Sequence, residues 1–82
     1  MSNFNNFEDV EMKVKAAERL VGYATMSMDE QQLTDATTAV NQAREQLEKM
    51  KGLATDLDDE FLKKQEEDLM HIEQQIREAK IF

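Results

Sequence analysis

The sequence contains no cysteine, no proline and no tryptophan, a single histidine, and only two glycines, Gly22 and Gly52. Without cysteine there are no disulfides and no thiolate metal sites, which suits a reducing compartment. Without proline, and with glycine this scarce, nothing interrupts long helices. No stretch approaches the roughly 18 consecutive apolar residues that cross a bilayer. The opening residues, Met1 to Phe7, carry neither a basic segment nor an apolar run, so no signal peptide is expected. The expected location is the cytoplasm.

Basic charge is also in short supply. Ten Lys and Arg stand against eighteen Asp and Glu, for a formal net charge of −8. An acidic surface repels phosphate backbones and anionic lipid, so neither direct nucleic-acid binding nor membrane docking is expected. The imbalance grows along the chain: residues 1–27 carry −1, residues 28–51 carry −2 and residues 52–82 carry −5.

Eighty-two residues make one domain near the lower size limit for a self-contained core. Leu, Ile, Val and Phe number 18, about 22% of the chain, just above the roughly 20% below which a highly charged chain tends to disorder. Such a chain folds with little stability to spare, and association is an easy route to more.

The apolar residues that are present keep a strict rhythm. Phe7, Val10, Val14, Ala17, Val21, Ala24 and Met28 step by 3-4-3-4-3-4, one face of a helix. Leu33, Ala36, Val40, Ala43, Leu47 and Met50 repeat the pattern. Leu62, Gln65, Leu69, Ile72, Ile76 and Ala79 do so a third time, with Gln65 the one polar member. The step of five from Met28 to Leu33 fits neither 3 nor 4 and breaks the first stripe from the second. The reading is an all-α, antiparallel three-helix bundle with helices at about 7–26, 29–51 and 57–80 and a disordered tail over residues 1–5.

Local chemistry sharpens the breaks. Ser27 and Glu30 have capping-box spacing, with Ser27 positioned to accept from the Glu30 N–H. Lys49, Lys51 and Gly52 suit a helix C-terminus, with Gly52 expected in the left-handed position and Leu53 folded back on Leu47. Thr55 or Asp56 is expected to cap the third helix, whose first turn is loaded with Asp58, Asp59 and Glu60. The first two stripes mirror each other: Ala24 pairs with Leu33, Val21 with Ala36, Ala17 with Val40, Val14 with Ala43, Val10 with Leu47 and Phe7 with Met50. In four of these six pairs an alanine faces a larger residue, as close antiparallel packing requires. Leu69, Ile72 and Ile76 are expected to cover the hairpin's open side.

Catalytic chemistry finds no footing. Asp68 and His71 sit at i, i+3 like half of a di-iron motif, but the neighbouring core stripe puts His71 and Glu67 on the solvent side. Asp56, Asp58, Asp59 and Glu60 lack the spacing and glycine of a calcium loop. The only serines are Ser2 and Ser27, and the glycines form no phosphate-cradling loop. No catalytic residue, metal site or cofactor is expected, and the chain is not expected to be an enzyme.

One surface departs from this pattern. Met12, Ala16, Tyr23 and Met26, interrupted by Arg19, fall on the face of the first helix opposite its core stripe. The equivalent positions are Asp35, Thr38, Gln42, Glu45 and Lys49 on the second helix, and Lys64, Glu67, His71, Gln74 and Glu78 on the third. Only the first helix is apolar on both sides, and flexible methionines with an amphipathic tyrosine are common at partner surfaces.

The run Val10-Glu11-Met12-Lys13-Val14, followed by Ala17-Glu18, Val21-Gly22 and Ala24-Thr25-Met26-Ser27-Met28-Asp29, resembles a family of short uncharacterised Bacillus proteins known only as a domain of unknown function. The likeness is clearest over residues 10–29, looser through Ala39, Val40, Ala43, Arg44, Gln46 and Leu47, and extends over most of the chain. It implies a Gram-positive bacterial cytoplasm, or a phage of such a host, and it carries over no activity, cofactor or functional residue. The expected function is protein–protein interaction or self-association through the outer face of the first helix. The alternative is an acidic decoy, built on Asp56, Asp58, Asp59, Glu60, Glu66, Glu67 and Asp68, that occupies a nucleic-acid-binding protein.

Overall fold

Each of the three stripes becomes the buried face of one helix. The computed structural model describes residues 3–81, with side chains over residues 7–80. Helix α1 runs Asn3–Ser27, α2 Glu30–Leu53 and α3 Asp59–Ile81, the last preceded by a 3-10 turn at Asp56–Asp58. All three helix pairs pack against one another, the α1–α2 pair most extensively, and among the described residues there is no strand. The bundle measures 40 × 22 × 15 Å, the shape of helices of 23 to 25 residues laid side by side at 1.5 Å rise per residue.

The core is the set that the periodicity picks out. Val10, Val14, Ala17, Val21 and Ala24 of α1 meet Ala36, Val40, Ala43, Leu47 and Met50 of α2, and α3 closes the third side with Leu62, Leu69, Ile72, Ile76 and Ala79. Gln65 is buried with them, and no buried side-chain nitrogen or oxygen among the described residues lacks a partner. Phe7 and Leu33 are half-buried at the ends of their stripes. Phe7 meets Phe61 edge-to-face, with centroids 5.4 Å apart, and closes one end of the core. Met28, the last residue of the first stripe, falls outside it because the chain turns there.

The turns differ from expectation in four respects. First, α1 begins at Asn3, so of the tail expected over residues 1–5 three residues belong to the helix, while residues 1 and 2 lie outside those described. Second, Asp29 rather than Ser27 caps α2: the Asp29 carboxylate accepts from the Gln32 N–H at 3.1 Å. Ser27 supports the turn instead, accepting from the Asp29 N–H at 3.2 Å and donating to Gln32 Oε1 at 2.5 Å. Third, the left-handed residue is Met28, at φ 57°, with its N–H donating to Ala24 O at 2.8 Å. With only Met28 and Asp29 between α1 and α2, the reversal needs one residue in that conformation, and Met28 takes it despite its Cβ.

Fourth, Gly52 stays helical, Leu53 is exposed rather than folded back, and α2 ends at an extended Ala54. The chain then enters the 3-10 turn, where the Thr55 N–H donates to Asp58 Oδ2 at 3.0 Å and the Asp58 N–H to Thr55 O at 3.0 Å. The acids of that segment therefore organise a helix start, with Asp59 and Glu60 in the first turn of α3 and Lys80 in its last.

Candidate interaction surface

Burying one stripe of α1 leaves the opposite stripe pointing outward. Met12, Tyr23 and Met26 are 67%, 63% and 85% exposed, Arg19 is exposed, and Ala16 is half-buried. The structure thus places all five residues on one outward stretch of α1. It adds Leu20, 38% exposed, beside Ala16 and Tyr23. Leu20 lies next to the core position Val21, and the sequence reading assigned it to neither face. The helical rotation of 100° per residue that puts Ala16 beside the outer stripe puts Leu20 there too.

The equivalent positions of the other two helices are polar, and Met70 is the one largely exposed apolar side chain among the described residues of α3. Asp35, Thr38, Gln42, Glu45 and Lys49 are exposed on α2, as are Lys64, Glu67, His71, Gln74 and Glu78 on α3. The Met12–Met26 stretch therefore stands as an apolar strip on a charged bundle, with the amphipathic composition of partner-binding faces. Its cationic neighbours are already engaged: Lys13 pairs with Asp9 at 3.1 Å and Lys15 with Glu11 at 3.7 Å. Among the described residues Arg19 makes no such pair.

A second polar feature escaped the sequence reading altogether. Arg44 of α2 reaches across to α3. Its Nε and Nη2 donate to the two carboxylate oxygens of Glu73 at 3.0 and 2.7 Å, and its Nη1 donates to Glu66 at 2.8 Å and to Glu48 at 3.0 Å. Lys51 extends the network by pairing with Glu66 and, at 3.1 Å, with Glu48. The hydrogen bond from Arg44 is the main cause that pulls the Glu66 carboxyl down to about 2. The bond from Arg44 also lowers Glu48, and the bond from Glu66 raises Lys51. The Glu73 bond, followed by that of Glu66, raises the Arg44 guanidinium still further.

Arg44 and Lys51 lie two turns apart on α2, and Glu66 and Glu73 two turns apart on α3. The earlier cation meets the later acid, as antiparallel neighbours require. That pair of i, i+7 spacings was the available signal. Chemically the cluster is a clamp: every member is an ion-pair partner of another, so it fixes α3 against α2.

The remaining acids and the histidine form no comparable centre. Asp68 pairs with Lys64 at 3.5 Å, His71 is exposed, and among the described residues no three His, Cys, Asp or Glu side chains converge on a point a metal ion could occupy. An open cleft of about 640 Å³ lies at the α2–α3 turn, but Lys51 and Glu66 on its wall are held by the clamp. No helix among the described residues is long and apolar enough to cross a membrane.

A family model described as "Protein of unknown function (DUF2564)" matches residues 3–81, nearly the whole chain. No curated protein and no solved structure matches the chain.

Proposed function

The chain belongs to this family of unknown function, and from the geometry we propose that it acts without catalysis, as a small interaction protein that associates with a protein surface through the outer face of α1. The observation that carries the reading is the contrast between helices. Met12, Tyr23 and Met26 are largely exposed on α1, whereas every equivalent position of α2 and α3 is polar. An exposed apolar strip lowers solubility, and covering it gains roughly 25 cal/mol per Å² of apolar surface removed from water.

The decoy reading draws less support. Of its seven acids, Glu66 is held by Arg44 and Lys51, Asp58 caps a turn and Asp68 pairs with Lys64. What remains is a helix start and an interrupted charge run. Binding by such acids weakens steeply with salt, whereas binding by the α1 face persists.

The test compares the wild-type chain with Met12→Glu/Tyr23→Glu. Molar mass is read by light scattering behind size exclusion at several loadings and two salt levels, and a photo-crosslinker is placed at position 23 or, as a control, at Gln42 of α2. The proposal expects salt-resistant association that the double variant loses at unchanged helicity, or crosslinking from position 23 that Met12→Glu weakens and that position 42 does not give. A wild type that associates or crosslinks, with the variant doing so equally, contradicts it, as does crosslinking no stronger from position 23 than from position 42.

A further inference from the structure

We propose that the outer face of α1 receives an amphipathic α-helix of another protein, whose apolar stripe is broken near its middle by one aspartate or glutamate that pairs with Arg19. This rests on the reading of the face as a docking surface and adds what its occupant looks like.

Met12, Ala16, Arg19, Tyr23 and Met26 step by 4-3-4-3, a rhythm that the polar outer positions of α2 and α3 share, but only on α1 is this seam opposite the core mostly apolar. A repeat of 3.5 residues is the one that lets knobs of one helix enter holes of another. A partner strand, with side chains alternating every two residues, finds no match for it. From Met12 to Met26 the seam is about 21 Å long, the length of two heptads of a partner helix. The half-buried Ala16 beside the protruding Tyr23 supplies the alternation of small and large that such packing uses.

Arg19 occupies the midpoint of the seam, with Met12 and Ala16 on one side and Tyr23 and Met26 on the other. Lys13 and Lys15 are paired along α1, while Arg19 has no ion-pair partner among the described residues. A guanidinium enclosed by an apolar interface needs a carboxylate opposite it, and its planar fork suits one well.

A second copy of the chain does not provide that carboxylate. If the whole seam is overlapped, a twofold pair brings the two Arg19 side chains together, whether the helices run parallel or antiparallel. It also joins two bodies of net charge −8. A foreign helix with an acid at the centre removes the first conflict, and one whose flanking positions are neutral or basic removes the second.

The test uses three synthetic 21-residue helical peptides with leucine at the 3-4 stripe positions and Glu, Gln or Lys at the central one. Each is titrated by fluorescence anisotropy against the wild-type chain, Arg19→Glu and Met12→Glu/Tyr23→Glu. Helicity of each variant is checked by circular dichroism. The expected result is that the Glu peptide binds wild type at least about tenfold more tightly than the Lys peptide, the ratio a single charged hydrogen bond supplies. Arg19→Glu reverses that order.

Equal affinity for all three peptides, or an order unmoved by Arg19→Glu, overturns the inference. If the double variant still abolishes that binding, the docking face itself stands. Failure of all three peptides to bind overturns the inference as well. A concentration-dependent dimer of the chain that Met12→Glu/Tyr23→Glu disperses assigns the face to a second copy, which overturns this inference and leaves the proposed function in place.

Discussion

Replacing Arg44 with methionine removes one side chain and leaves two acids stranded. Glu73 loses both of its charged hydrogen bonds from the guanidinium, and Glu66 keeps only Lys51. Arg44, Glu66 and Glu73 are each roughly a quarter exposed. They lie between two limits: exposed pairs worth about 0–1 kcal/mol and buried pairs whose disruption costs about 3–5 kcal/mol. A loss of about 2 kcal/mol at pH 7 follows, and for a domain of this size that lowers the melting temperature by about 10 °C.

The acid limb of stability moves with it. Glu66 is held at about 2 against an ordinary 4.5, so between those values the unfolded chain takes up a proton that the folded chain refuses. Its contribution is therefore complete above about pH 5 and is lost as the pH falls through about 2. At 1.36 kcal/mol per pH unit the shift is worth at most about 3 kcal/mol, and solvent screening reduces it to about 1–2 kcal/mol. Arg44→Met should flatten the fall in stability below pH 5 by about that amount. Urea unfolding followed by circular dichroism between pH 2.5 and 7 reads both effects. A variant that melts within about 2 °C of wild type at pH 7 and keeps the wild-type acid slope refutes the clamp.

Two further substitutions test the packing and the turn. Leu47→Ala empties a fully buried site between the helices and should lower stability by about 3 kcal/mol in urea unfolding; a loss below about 1 kcal/mol contradicts the close-packed core. Met28→Gly should raise stability by up to about 1 kcal/mol, because the left-handed φ of 57° strains a residue with a Cβ and the relief exceeds the added freedom of the unfolded chain. A destabilised Met28→Gly chain would mean that the Met28 side chain contributes packing its exposure does not suggest.

The core was legible because burial in a helical bundle follows a local rule. A residue's place in the 3-4 rhythm sets its face, and the stripe residues from Val10 to Ala79 obey it, including the polar Gln65, save Met28 at the turn and the half-buried Leu33. The turns were legible as places and not as chemistry. The step from Met28 to Leu33 announces a break, but which residue turns left-handed depends on how α2 docks on α1. That demand falls on Met28 while Gly52, the residue best suited to it, stays helical. Asp29 displaced Ser27 as cap for the same reason: once the chain reverses at Met28, it is Asp29 whose side chain faces the free N–H of Gln32.

The outer strip of α1 was readable from spacing, since opposition to a core stripe is also a local property. Leu20 was missed because it sits at the edge of that strip. The Arg44 clamp was missed because its partners are 22 and 29 residues away. Cross-helix ion pairs depend on which flanks face each other, and that is settled only when three helices pack.

If the outer face of α1 is the working surface, a helical partner leaves its footprint there. The most direct measurement follows amide and methyl NMR shifts of the isotope-labelled chain as the Glu-centred helical peptide is added. The expected perturbations concentrate at Met12, Ala16, Arg19, Leu20, Tyr23 and Met26, with α2 and the outer face of α3 unmoved. Perturbations centred on Lys64 to Glu78, or on the cleft beside Asp56 and Lys63, would contradict that role for α1.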